Sequence, residues 1–131
     1  IEKVAAEAGS VEERLHRIAL AILETVVTPD CIAFRRVMVA EAGRFPEFAR
    51  ALHDFGLARV VPLVESCLED GVRSGAIAVD DVRHAADAFL GLTIRGFVDR
   101  TELGLERPGM THVKRATLKR SLDFFLRACR P

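Results

Sequence analysis

Residues 37–57 read VMVAEAGRFPEFARALHDFGL, a stretch with helical spacing on both sides of a rigid Phe45-Pro46 step. A proline restricts the residue before it to extended backbone and is well placed at the first position of a new helix. The step therefore predicts a break between two helices, and beyond Leu57 the chain continues as more apolar helical sequence. No catalytic constellation accompanies it. The expected fold is an all-helical core that encloses a small cavity or presents a partner surface.

The 131 residues fit one domain, long enough to bury a sizeable core. Nineteen basic and nineteen acidic side chains cancel and are interspersed, so no basic stripe exists to neutralise nucleic-acid phosphates. Trp and Tyr are absent, which argues against an aromatic platform for single-stranded nucleic acid. Cys31, Cys67 and Cys129 are odd in number and lie among helix formers, as free thiols of a reducing compartment do. No apolar run reaches bilayer length and no signal peptide opens the chain, so the expected location is cytoplasmic, with no membrane partner. The chain opens with Ile1 rather than Met, as a piece of a longer protein would.

Five or six helices account for nearly every residue. Residues 1–8 look like the end of a preceding helix stopped by Gly9. Ser10 with Glu13 forms a capping box, and Leu15, Ile18, Ala19, Ile22, Leu23 and Val26 follow as a core stripe. Thr28-Pro29 is the next start. The helix to about Gly43 or Arg44 is expected to turn Ala33, Phe34, Val37, Met38 and Ala40 inward. Pro46 begins a short helix to about Asp54, punctuated by Gly56. Residues 57–73 form a longer one, bent at Pro62 if it starts before Arg59. Ala76-Ile77-Ala78-Val79 is extended but has no partner strand, so a loop plugging the core is expected.

Asp80 or Asp81 caps a helix to about Glu102. Gly104 to Gly109 is a loop, and a last helix runs from about Thr111 to Cys129. These two helices carry more apolar surface than one small core requires. Gly91 and Gly96 each weaken a helix by about 1 kcal/mol relative to Ala, which makes sense where another backbone approaches. A homodimer with a four-helix interface is expected.

A search for chemistry finds little. His16, His53, His84 and His112 are scattered without metal-site spacing, so no metal or other cofactor is expected. His53 follows the Phe-Pro step and faces either solvent or an interior cavity. Glu41 forms a surface pair with Arg44 or sits buried at a helix crossing. The serines have no nucleophile-elbow context and no glycine-rich phosphate cradle exists. An enzyme is not expected. Phe34, Met38, Phe45, Phe48, Phe55, Phe89 and Phe97, with His53, Thr93 and Arg95 as polar points, suit either a plain core or a pocket for an apolar or amphipathic molecule.

The segments FRRVMVAEAGRFPEFARALHDFG (Phe34–Gly56) and LVESCLEDGVRSGAIAVDDVRHAADAFLGL (Leu63–Leu92), and their order, resemble the C-terminal regulatory region of TetR-family transcriptional repressors, the AefR-like subgroup above all. The resemblance spans Ser10 to Ala128. It implies residues 1–9 as the end of a connecting helix from an N-terminal helix-turn-helix domain that this sequence lacks, and residues 10–131 as an effector-binding and dimerisation domain. Operator DNA would be a partner only through that missing domain. The resemblance places the dimer face on helices 80–102 and 111–129, with Leu90, Gly91, Ile94, Val98, Leu118, Leu122 and Phe125 as candidates. It lines a small-molecule effector pocket from helices 11–27, 29–44, 57–73 and 80–102; periodicity selects Phe34, Met38, Val64, Cys67, Phe89 and Thr93. The implied mechanism is a population shift in which effector binding alters the spacing of two DNA-binding heads, with Pro62 and Phe45-Pro46 as points of motion. The other reading of the residues is a helical interaction domain without a ligand.

Overall fold

A computed structural model describes residues 1–131, and they form helices and turns with no strand. The elements are α1 (Glu2–Ala5), α2 (Val11–Val26), α3 (Pro29–Ala42), α4 (Pro46–Phe55), α5 (Val61–Arg73), α6 (Val82–Leu90), α7 (Gly96–Glu102) and α8 (His112–Ala128). A 3-10 turn covers Leu57–Arg59, and a π turn, Gly91–Arg95, joins α6 to α7 without a break.

The helix starts follow local chemistry. At α2 the Ser10 hydroxyl accepts from the Glu13 N–H at 3.1 Å while the Ser10 N–H donates to the Glu13 carboxylate at 2.9 Å. These bonds satisfy N–H groups that a helix start leaves orphaned. Thr28, Asp81 and Thr111 cap α3, α6 and α8 in the same way through their side-chain oxygens. Pro62 lies in the first turn of α5, where it needs no backbone partner. The helix starts after Arg59, so the condition for a bend at Pro62 is not met.

α2 is the centre of the bundle. Leu15, Ile18, Ala19 and Leu23 are fully buried and meet α5, α8 and the π turn. Phe89 of α6 packs edge-on against Phe125 of α8, with ring centroids 5.3 Å apart at 63°. Burying a side chain of that size contributes about 2–3 kcal/mol. The extended segment after α5 plugs the core as expected: Ile77 is buried, and the Ala78 N–H donates to the Cys129 carbonyl at 2.8 Å.

The segment from α6 to α7 turns one face inward throughout, through Ala85, Ala86, Phe89, Leu90, Thr93, Ile94, Phe97, Val98 and Thr101. These residues recur every four positions. A helix of 3.6 residues per turn would rotate such a stripe by roughly 40° at each step and carry it out of the core. The wider π turn absorbs that drift. Thr93 and Thr101 close their hydroxyls onto the Phe89 and Phe97 carbonyls, so both are buried without an orphaned polar group.

α3 corrects the sequence reading. Ala33, Phe34, Val37 and Ala40 point outward, with Phe34 61% and Val37 60% exposed. Met38 turns in as expected, and Ile32 joins it in place of the other four. The cause is polar: Arg35 pairs with Glu102, and Arg36 donates to the Glu102 and Thr101 carbonyls at 2.8 and 3.1 Å. Arg36 thus donates to carbonyls at the C-terminal end of α7, Arg35 pairs with the Glu102 carboxylate there, and both positive charges lie at the negative end of that helix dipole. This fixes the rotation of α3. α4 packs mainly on α3 and the 3-10 turn, and none of its residues is fully buried.

Candidate dimer face and effector region

α7 and α8 are joined by a loop with left-handed Gly104 and Gly109, so α8 returns antiparallel along the α6–α7 segment. Each of the two helical segments spends one face on the core. Among the charged residues of the outer surface, Ala88, Gly91 and Leu92 are exposed on one segment, and Val113, Ala116, Arg120 and Phe124, with half-buried Thr117 and Ser121, face outward on α8. The α8 residues recur at helical spacing, so they form a stripe. Leu92, Val113 and Phe124 are 43%, 72% and 63% exposed. Between the helices runs a groove of about 550 Å³ bounded by Leu92, Thr117, Ser121 and Phe124, with Arg120, Asp123 and Arg127 at its polar margin. A Cβ added at Gly91 would meet nothing within 4 Å. The protomer itself does not need a glycine there.

The sequence-derived dimer candidates fall on the other side of the same helices. Leu90, Ile94, Val98, Leu118, Leu122 and Phe125 are buried in the protomer's own core, and only Gly91 is outward. Apolar strength in the sequence marked the core stripe. The outward stripe is weaker and mixed, and its signal was the second run of residues at Val113, Thr117 and Phe124.

The six pocket candidates divide likewise. Val64, Cys67 and Phe89 belong to the central core, and Thr93 is buried beside it. Met38 is buried under α3, outside that core cluster. Phe34 stands on the surface. A second surface cleft, of about 500 Å³, lies at the start of α2, between Val11, Ile77 and Leu126 with Arg127 and Arg130 at its edge. None of the six candidates lines either cleft.

Electrostatics does not mark a reactive group. Burial pushes the Cys67 and Cys129 thiols up, against the smaller pull of Arg14 on Cys67, so both stay protonated. The three cysteines are unpaired. The hydrogen bond from Arg14, at 2.9 Å, holds the Asp70 carboxyl below the usual aspartate range, and Arg73 at 3.0 Å adds to it. His53 is exposed on α4 beside Asp54, not in a cavity. Glu41 does not pair with Arg44, whose guanidinium lies over the Phe45 ring at 5.2 Å. No three His, Cys, Asp or Glu side chains come together as metal ligands, and no helix is long and apolar enough to cross a membrane.

The architecture is an all-α bundle in which α3 and α4 pack together as a helical hairpin on one side, and the last two helical segments carry an outward stripe. Residues 13–131 match the family described as the AefR-like transcriptional repressor, C-terminal domain. The chain belongs to that family, and thereby to the TetR transcriptional regulators. A solved structure of a Mesorhizobium loti protein assigned to the TetR family shares the fold, with a TM-score of 0.83 and 20% identity. The similarity covers 99% of this chain and 66% of that one, so the present chain spans about two-thirds of its neighbour's length. Among curated proteins, none matches.

Proposed function

We propose that this chain is the regulatory part of a TetR-family transcriptional regulator, which dimerises through the outward face of α6–α8 and responds to a small apolar or amphipathic effector. Operator binding would reside in an N-terminal helix-turn-helix domain of the whole protein. The observation that carries the proposal is the stripe of Leu92, Val113 and Phe124, with small Ala88, Gly91 and Ala116 between them. Small residues let two helix pairs approach, and large ones fill the gaps, as in a four-helix interface. The decisive experiment is sedimentation of the wild type against Phe124→Glu. The wild type should run as a dimer and the variant as a monomer with an unchanged helical spectrum; a monomeric wild type at micromolar concentration would refute it.

The effector would enter beside Met38, where α3 and α4 cover the bundle, and reach toward Val64, Phe89 and Thr93. α4 contributes no buried residue and α3 only Ile32 and Met38, so displacing this hairpin costs little core burial. A ligand that binds better with the hairpin displaced shifts the population toward that state. Thermal-shift screening with amphipathic compounds tests this, and Met38→Trp, which fills the entry, should abolish any stabilisation found. The closed packing of Val64, Cys67 and Phe89 favours a second reading, a dimerisation domain without ligand. That reading predicts no stabilisation by any compound.

A further inference from the structure

The outward side of α3 is an apolar ridge with no cover. Ala33, Val37 and Ala40 recur at i, i+4 and i+7, Phe34 stands beside them, and all four are exposed. Charges close the ridge at its two ends: Asp30 in the first turn, and Arg44 on the turn that continues the helix past Gly43. Both are exposed, and neither is in an ion pair within the chain.

We propose that α3 is a second self-association surface, on which two copies of the chain pair antiparallel about Val37. The pattern is self-complementary under such a two-fold axis. Val37 meets the Val37 of its partner, Phe34 fills the space over the small Ala40, and Asp30 comes beside Arg44 at both ends. A parallel pairing would instead oppose Asp30 to Asp30 and Arg44 to Arg44, which is repulsive. The alanines on either side of Val37 let the two helices approach to the usual packing distance. With the hairpin seated on the bundle, Arg35 and Arg36 hold α3 on α7 in the rotation that presents this ridge outward. A chain with two such isologous faces, this one and the α6–α8 stripe, assembles beyond a dimer into a closed tetramer or an open array.

Sedimentation of the chain over roughly 1 to 200 μM, the range in which small interfaces dissociate, reads the outcome directly. The wild type should form a species larger than a dimer, and Val37→Glu should remove it while leaving the dimer. Asp30→Arg should weaken the larger species at least tenfold, and the double exchange Asp30→Arg with Arg44→Asp should restore it. Phe124→Glu should leave a dimer held by α3 alone, so failure of the α6–α8 face and failure of this one are distinguishable. In a Cys31→Ser background, Val37→Cys should oxidise to a chain-to-chain disulfide. Wild type and Val37→Glu of equal mass at every concentration would overturn the proposal, as would Val37-dependent flotation with phospholipid vesicles, which would give the face to a membrane.

Discussion

The Nζ of Lys114, a side chain only 4% exposed, donates to the Gly109 carbonyl at 2.6 Å and to the Arg107 carbonyl at the same distance. One residue of α8 thereby clamps the loop that returns the chain from α7, and the Gly109 N–H in turn holds the Val27 carbonyl at 2.7 Å. The loop fixes how α8 lies along α6 and α7, and so the shape of the outward stripe.

Lys114→Met should lose that clamp. The apolar stem is kept, but two part-buried carbonyls lose their charged donor, at a cost of about 1–3 kcal/mol. Urea denaturation should show the loss, and amide exchange should rise first at residues 103–111. Unchanged exchange there would show that the loop does not depend on the lysine.

Gly71→Ala tests a close approach. An added Cβ would lie 2.8 Å from Cγ2 of Val11 and 3.0 Å from Cδ1 of Ile77, where α5 passes under the plug. Alanine gains up to about 1 kcal/mol in helix propensity but forces a packed core apart at a cost of about 1–3 kcal/mol. A net loss of about 1 kcal/mol is expected from the midpoint of chemical denaturation.

Gly91 should behave in the opposite way. Its neighbourhood in the protomer is empty, so Gly91→Ala should leave the fold as stable as before or more so, by up to about 1 kcal/mol. Gly91→Leu should also fold but raise the dimer dissociation constant at least tenfold, as read by sedimentation. Dimerisation unaffected by leucine would move the interface away from this face.

Asp70 predicts the acid limb of stability. Arg14, by hydrogen bonding, and Arg73 lower the folded carboxyl below its unfolded value, so the Asp70 contribution is complete above the ordinary aspartate range. It is lost as pH falls through the lowered folded value. Asp70→Asn should flatten the stability profile in that acid window and leave its shape near neutrality unchanged. Equal steepness in both proteins would assign the acid limb to other carboxylates.

Helix starts were legible because each is a local hydrogen-bonding device: Ser10 with Glu13, Thr28 before Pro29, and Asp81 and Thr111 three residues before the N–H they accept from. The core stripe of α2 was legible from spacing alone. The π turn was also present in the sequence, as an inward pattern of strict four-residue period from Ala85 to Thr101, but a helix of 3.6 residues per turn hides it.

Sequence by itself determined the all-helical class, the boundaries of most helices, the core of α2, and the family. Tertiary structure alone decided which way α3 faces and which side of α8 is outward. Ala33, Phe34, Val37 and Ala40 are apolar enough for a core, yet Arg35 on the Glu102 carboxylate and Arg36 on the Glu102 and Thr101 carbonyls hold α3 with these four residues in solvent. The physical reason is range. A cap is satisfied within one turn of its own helix, whereas the rotation of a helix that is apolar on several sides is set by partners far along the chain.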